Sequence, residues 1–256
     1  MTVRLDARQR AMLAEMGVRW PEPLVLADAD RPELSPVPAP ALEVAGPARV
    51  SPGAAAKTVG PMVAEASPIA RMSWDELRQA VARCQACQLC TGRRNTVFGV
   101  GDPQADWLIV GEAPGENEDR QGEPFVGAAG KLLDNMLKAL GLDRHHKVYI
   151  ANVLKCRPPA NRNPLPQEVA QCEPFLRRQI QLLQPRIILA MGRFAVQSLL
   201  GSNDAIGKLR GRVHRHGEIP VVVTYHPAYL LRNPADKARA WEDLCLALDT
   251  LGRQPG

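Results

Sequence analysis

Six cysteines stand at positions 84, 87, 90, 156, 172 and 245. Cys84 and Cys87 form a C-x-x-C clip, and Cys90 extends it. Cys156 and Cys172 bracket a stretch rich in Pro, Asn and Arg. Four thiolates can hold zinc or an iron–sulfur cluster. The plain alternative is buried cysteines acting as small hydrophobes. A proline-rich loop that needs pinning favours the metal. Cys245 lies among Leu244, Leu246 and Leu248 and reads as core. A second set of residues could do chemistry on a ligand. Gly111-Glu112-Ala113-Pro114-Gly115 is a loop whose backbone N–H groups can approach a ligand closely. Asn152 offers a donor and an acceptor on one amide, or serves its own turn. Phe125, between Gly122 and Gly127, could stack on a flat ligand or fill the core. His226, before Pro227, could donate a proton or hydrogen bond to developing charge.

The elements that must position these groups follow from periodicity. Ser73 and Glu76 form a capping box ahead of an amphipathic helix through Trp74, Leu77 and Val81. Short apolar runs at 106–111, 147–153, 186–191 and 220–225 read as buried strands, with a further short strand at 212–216. Helical spacing covers 128–140, 166–183, 193–200 and 235–251. Buried strands alternating with helices predict an α/β fold with a mostly parallel sheet covered on both faces. Ligands of such sheets bind beyond the carboxyl ends of the strands. The Gly111–Gly115 loop, Asn152 and His226 all stand at such ends.

Composition sets the outer bounds. Hydrophobic residues make up 45% and charged residues 23%, ordinary for a globular protein, and no apolar run of 18 residues is present to cross a membrane. The first 14 residues carry no apolar h-region, so an intracellular, cytoplasmic protein is expected and a disulfide framework is not. Residues 1–72 are charge-neutral and hold 10 of the 23 prolines, so the whole excess of +5 falls on 73–256. Asp6 to Met16 has helical spacing, and Arg31 to Pro68 is Pro/Ala-rich with few large side chains. We therefore divide the chain into an N-terminal extension, 1–72, with a short helix and a disordered linker, and a folded body, 73–256. The extension is a candidate surface for a protein partner.

Four long, ordered motifs then bear a resemblance. Gly111-Glu-Ala-Pro-Gly-Glu-Asn-Glu-Asp119, Gly122-Glu-Pro-Phe-Val-Gly127 with Gly130, Asn152-Val-Leu-Lys-Cys-Arg-Pro-Pro159 and His226-Pro-Ala-Tyr-Leu-Leu-Arg-Asn-Pro234 resemble the family 4, iron–sulfur uracil-DNA glycosylases. The likeness runs from about Met72 to Leu251. It implies a three-layer α/β/α sandwich around a four-stranded, mostly parallel sheet. It implies a [4Fe–4S] cluster on Cys84, Cys87, Cys156 and Cys172, with Cys90 as an extra thiol. It implies a monofunctional hydrolase that flips deoxyuridine out of single- or double-stranded DNA, cleaves its N-glycosidic bond and starts base excision repair. Such an enzyme is expected to be monomeric and nucleoid-associated.

The resemblance also implies roles. Asn152 reads the uracil edge, and a fixed amide rejects cytosine by leaving buried groups unpaired. Phe125 stacks on the flipped base. Glu118 closes the space that thymine's methyl would need. Glu112 and Ala113 lie in the loop that meets uracil O2, with Glu112 the candidate for orienting water. His226 stabilises the charge that grows on O2. Leu230 or a neighbour wedges into the vacated stack, and Arg232 meets phosphate; the plain alternative for this segment is one turn of helix packing its leucines inward. Lys155, Arg157 and Arg210 belong to loops whose basic side chains would position DNA. Ala113 stands where some relatives carry Gly, and Tyr225 where an apolar aromatic is common. Two other readings stay open: a superfamily member acting on other deaminated bases or capturing the abasic sugar, and a non-catalytic, zinc-pinned DNA-binding protein.

Overall fold

The computed structural model describes residues 68–252. The predicted helix at 6–16, and the linker except for Pro68, lie outside the described residues. Pro68–Arg71 forms a 3₁₀ turn. Ile69 and Met72 pack with Leu77, Val81 and Phe175. The packed body thus already includes residues ahead of Ser73. Helix α1 (Trp74–Arg83) begins at the predicted capping box, with the Ser73 and Glu76 side chains each meeting the other's backbone N–H. A short α2 (Leu89–Gly92) follows.

The sheet has six strands: β1 (Val100–Gly101), β2 (Trp107–Gly111), β3 (Val148–Asn152), β4 (Ile187–Met191), β5 (Val213–His216) and β6 (Ile219–Thr224), in the order β1-β3-β2-β4-β6-β5. The central four, β3-β2-β4-β6, are parallel, as expected. The expected count of four is corrected to six by an antiparallel strand at each edge. β1 has two residues, too few to show any alternation, and is recognisable only by its pairing with Ile150 and Tyr149.

The remaining helices are α3 (Glu116–Gln121), α4 (Ala128–Ala139), α5 (Pro166–Leu183), α6 (Arg193–Leu200), α7 (Ile206–Leu209), α8 (Pro227–Arg232) and α9 (Lys237–Gly252). Successive strand residues point to opposite faces, and this splits the core in two. Ile109, Ile150, Leu189 and Val222 pack with Leu133 and Met136 of α4 and with Trp241 and Leu244 of α9. Leu108, Val110, Ile188 and Val223 pack with Leu176 and Ile180 of α5 and with Val196 and Leu199 of α6. The result is the three-layer sandwich.

Candidate active site

The parallel strands deliver their carboxyl ends to one cleft of about 780 Å³, within the usual size range of a ligand pocket. Glu112 to Gly115 follow β2, Asn152 ends β3, Gly192 and Arg193 follow β4, and Tyr225 and His226 follow β6. Gly111 and Asn152 are register partners, and the pairing continues beyond the strands: Val153 N–H donates to Gly111 O at 3.0 Å and Leu154 N–H to Glu112 O at 3.0 Å. The Glu112 loop and Asn152 are therefore placed by the same ladder. Asn152 is 2% exposed, and its Oδ1 is buried with no hydrogen-bond partner. Leaving a buried acceptor unpaired costs about 1–3 kcal/mol, and this one belongs to a residue that lines the cleft.

Phe125 is held from three sides. Its backbone is left-handed, with φ 55°. Glu118 Oε1 accepts from Val126 N–H at 2.9 Å and Gly127 N–H at 3.1 Å, while Oε2 accepts from Gly115 N–H at 3.1 Å. Arg144 Nη2 donates to Phe125 O at 2.7 Å, and its Nη1 to Glu123 at 2.7 Å. A Cβ on Gly130 would lie 1.7 Å from Phe125 O, so only glycine lets α4 come this close. The ring joins the core and also faces the cleft, stacked on the His226 imidazole with centroids 5.4 Å apart and planes at 28°.

His226 caps α8: its Nδ1 accepts from Ala228 N–H at 3.2 Å. A ring nitrogen that accepts carries no proton, so the neutral imidazole has its hydrogen on Nε2. Burial, then the nearby Arg232, pushes the imidazole down to about 4, with Glu118 opposing. The ring is thus neutral at pH 7 and a donor through Nε2. Burial pushes the Glu112 carboxyl up, and Arg193 partly offsets it. Among the described residues the Glu112 carboxylate makes no hydrogen bond. Arg193 and Arg232, both exposed, stand at the cleft and form no ion pair among the described residues.

Residues 98–245 match the model of the uracil DNA glycosylase superfamily. A type-4 uracil-DNA glycosylase of Sulfurisphaera tokodaii is 47% identical over 171 residues, covering 63% of this chain and 77% of that protein. One from Archaeoglobus fulgidus is 45% identical, covering 63% and 85%, and one from Thermotoga maritima 44%, covering 63% and 84%. The chain belongs to the type-4 uracil-DNA glycosylases.

Of the residues marked in the sequence of this type-4 chain, Glu112, Ala113, Glu118, Phe125, Asn152, His226 and Arg232 all line the one cleft. Three expected DNA contacts need correction. Lys155 is 1% exposed, its ammonium donating to Asn152 O at 2.8 Å and Gln179 Oε1 at 2.6 Å. Arg210 pairs with Asp243 at 3.0 Å and Glu242 at 2.9 Å, tying α7 to α9. Leu230 is 0% exposed in the core because α8 turns that face inward, whereas its neighbour Leu231 is 44% exposed. Arg157 donates to Asn161 Oδ1 and stands 3.5 Å from Glu116. Sequence reasoning missed Arg193 and Arg144. Arg193 had a signal, since Gly192-Arg193 follows a buried strand at the same sheet edge. Arg144 had none, because it acts through the Phe125 carbonyl from a distant loop.

Cys84, Cys87, Cys90, Cys156 and Cys172 all line a second, small cavity with Val81 and Phe175. Among the described residues no three potential ligands are close enough to share one metal ion. Two N–H groups already aim at sulfur: Arg93 Nη1 at Cys156 (3.1 Å) and the Lys155 backbone at Cys172 (3.4 Å). Burial pushes both thiols up, Cys172 to about 12.

Proposed function

We propose that this protein excises uracil from DNA as a monofunctional glycosylase, and that the buried, unpartnered Asn152 Oδ1 is the group that reads the base. Uracil presents a donor at N3 beside an acceptor at O4. The Asn152 amide complements both, whereas cytosine reverses them and leaves buried groups unpaired. Phe125 provides a fixed face for stacking the flipped base. Glu118, which lines the cleft and is fixed by the N–H groups of Gly115, Val126 and Gly127, is the side chain that closes the space the methyl of thymine would need. His226 donates from Nε2 to O2 as electrons flow into the departing uracil. A neutral donor suits this task, because it need not give up its proton. Glu112, with no internal partner, orients the water that attacks C1′. Arg232 and Arg193 meet phosphates beside the flipped nucleotide, and Leu231, not Leu230, is the side chain free to enter the vacated stack.

The cysteine cavity fits a cluster better than one ion. Zinc at about 2.3 Å from four sulfurs needs them to converge on one ion, and among the described residues no three ligands are so placed. Cys84, Cys87, Cys156 and Cys172 would hold a [4Fe–4S] cluster, with the Arg93 and Lys155 N–H groups serving its sulfurs. When bound, the cluster supplies structural cross-linking: it ties α1, the segment after β3 and α5 into one body.

The deciding test is an oligonucleotide with one U, incubated in EDTA and then treated with alkali. Strand cleavage at U, and none at T or C, is expected from a brown protein absorbing near about 400 nm. Intact DNA from brown, folded protein would sink the activity, and a colourless zinc protein would sink the cluster.

The pH dependence has a defined sign. The His226 pKa falls on folding, so as pH drops below about 6.5 the unfolded chain binds the proton first. Its contribution to stability is complete above that pH and is lost as pH falls towards about 4. The melting-temperature difference between wild type and His226→Gln should therefore shift against the wild type between pH 7 and pH 4. Excision should show no break at 6.5. A break there would mean the imidazole titrates normally.

A further inference from the structure

Lys155 has a role that DNA contact does not explain. The residue is 1% exposed, and its ammonium donates to the backbone carbonyl of Asn152 at 2.8 Å and to Gln179 Oε1 at 2.6 Å. Gln179, itself fully buried on α5, is fixed in turn by donating to Phe98 O at 2.9 Å. The Lys155 backbone is used on both sides: its N–H points at Cys172 Sγ at 3.4 Å, and its carbonyl accepts from Val97 N–H at 2.8 Å. One residue therefore touches a thiol of the cysteine cavity, the helix that carries that thiol, and the peptide of the amide facing the cleft. Burying a cation costs several kcal/mol before its hydrogen bonds are counted, and an apolar side chain would fill the same volume without that cost. A buried ammonium in this place is explained if the carbonyl it holds must not move.

We infer that Lys155 is a positioning residue for base recognition: by holding the Asn152 carbonyl it sets the placement of the Asn152 amide in the cleft and makes the cysteine-lined cavity the foundation of that placement. The inference rests on Asn152 as the uracil-reading residue. Asn152 ends β3, and the peptide that follows it is held at both ends: Val153 N–H donates to Gly111 O at 3.0 Å, and Lys155 Nζ donates to Asn152 O at 2.8 Å, so loss of the lysine leaves that peptide fixed by the ladder side alone. Misplacing a recognition group by about 1 Å can lower a rate by as much as 10²-fold.

The test is a double-mutant cycle on the full chain with its cluster, read by single-turnover excision. Lys155→Met should lower excision by about 10- to 100-fold in the wild-type background and by less than about 2-fold in the Asn152→Ala background. Visible absorbance should be unchanged. Affinity for free uracil, which requires no catalysis, should follow the same pattern. An equal loss in both backgrounds would overturn the inference, because a general structural or through-space electrostatic effect does not need the Asn152 amide. So would full activity of Lys155→Met alone. If the Met variant does not yield brown, folded protein, Lys155→Gln keeps one N–H donor and replaces it in the cycle, with a smaller loss expected under the same two conditions. Wild-type excision by Asn152→Ala would overturn the reading of Asn152 itself, and the inference with it.

Discussion

Asn152→Ala is expected to lower single-turnover uracil excision by about 10²–10³-fold, the range seen when one preorganised hydrogen-bonding group is removed from a catalytic site. The same substitution should leave the melting temperature unchanged or raise it. These two effects separate because Oδ1 has no partner in the folded protein. Removing it deletes a buried, unsatisfied acceptor, a cost of about 1–3 kcal/mol that the fold carries. Parallel melting and excision measurements decide the matter. A variant that loses both activity and stability would show that the amide belongs to the packing of the sheet end and not to the base.

Gly111→Ala should close the pocket. A Cβ at this position would lie 2.4 Å from Asn152 Oδ1 and 2.5 Å from Phe125 Cζ. Neither neighbour can retreat cheaply. Asn152 is the register partner of Gly111 across a parallel ladder. Phe125 is clamped by Arg144 and by the N–H groups that Glu118 holds. The added methyl must therefore push the amide or the ring into the space meant for the base. Excision is expected to fall by about 10²-fold or more, with an overpacking cost of about 1–3 kcal/mol seen in thermal unfolding. Near-normal excision by Gly111→Ala would mean that the base does not occupy the corner between Asn152 and Phe125.

Most of the scaffold was legible because its strands are short runs of Ile, Leu, Val and Ala, and burial on both faces leaves that signature in the chain. The long helices α5 and α6 fall at the residues that their periodicity predicts. What escaped were elements too short to have a period: β1, with two residues, and the short helices α2, α3 and α7. In α8 the sequence left a wedge and an inward-packed helix turn both open. In Tyr229-Leu230-Leu231-Arg232 adjacent leucines look alike in the sequence, and only the helix turn sends Leu230 into the core and Leu231 outward.

The sequence by itself determined the layered α/β architecture, the strand ends where a ligand would sit, the cysteines capable of holding a cluster and the family to which the chain belongs. Each rests on a local pattern or on a motif spelled out by contiguous residues. The tertiary structure alone decided which charges are free. Lys155, Arg157, Arg210 and Arg232 look equally available in a basic chain, yet Lys155 is consumed beneath Asn152 and Arg210 by two carboxylates of α9, while Arg232 remains open to the cleft. Charge pairing depends on distances between segments 24 to 33 residues apart, which no local pattern encodes. The same holds for the orphaned oxygen of Asn152. That it lacks a partner is a property of everything folded around it, and this lack is what sets a strand-end asparagine apart as the proposed reader of a base.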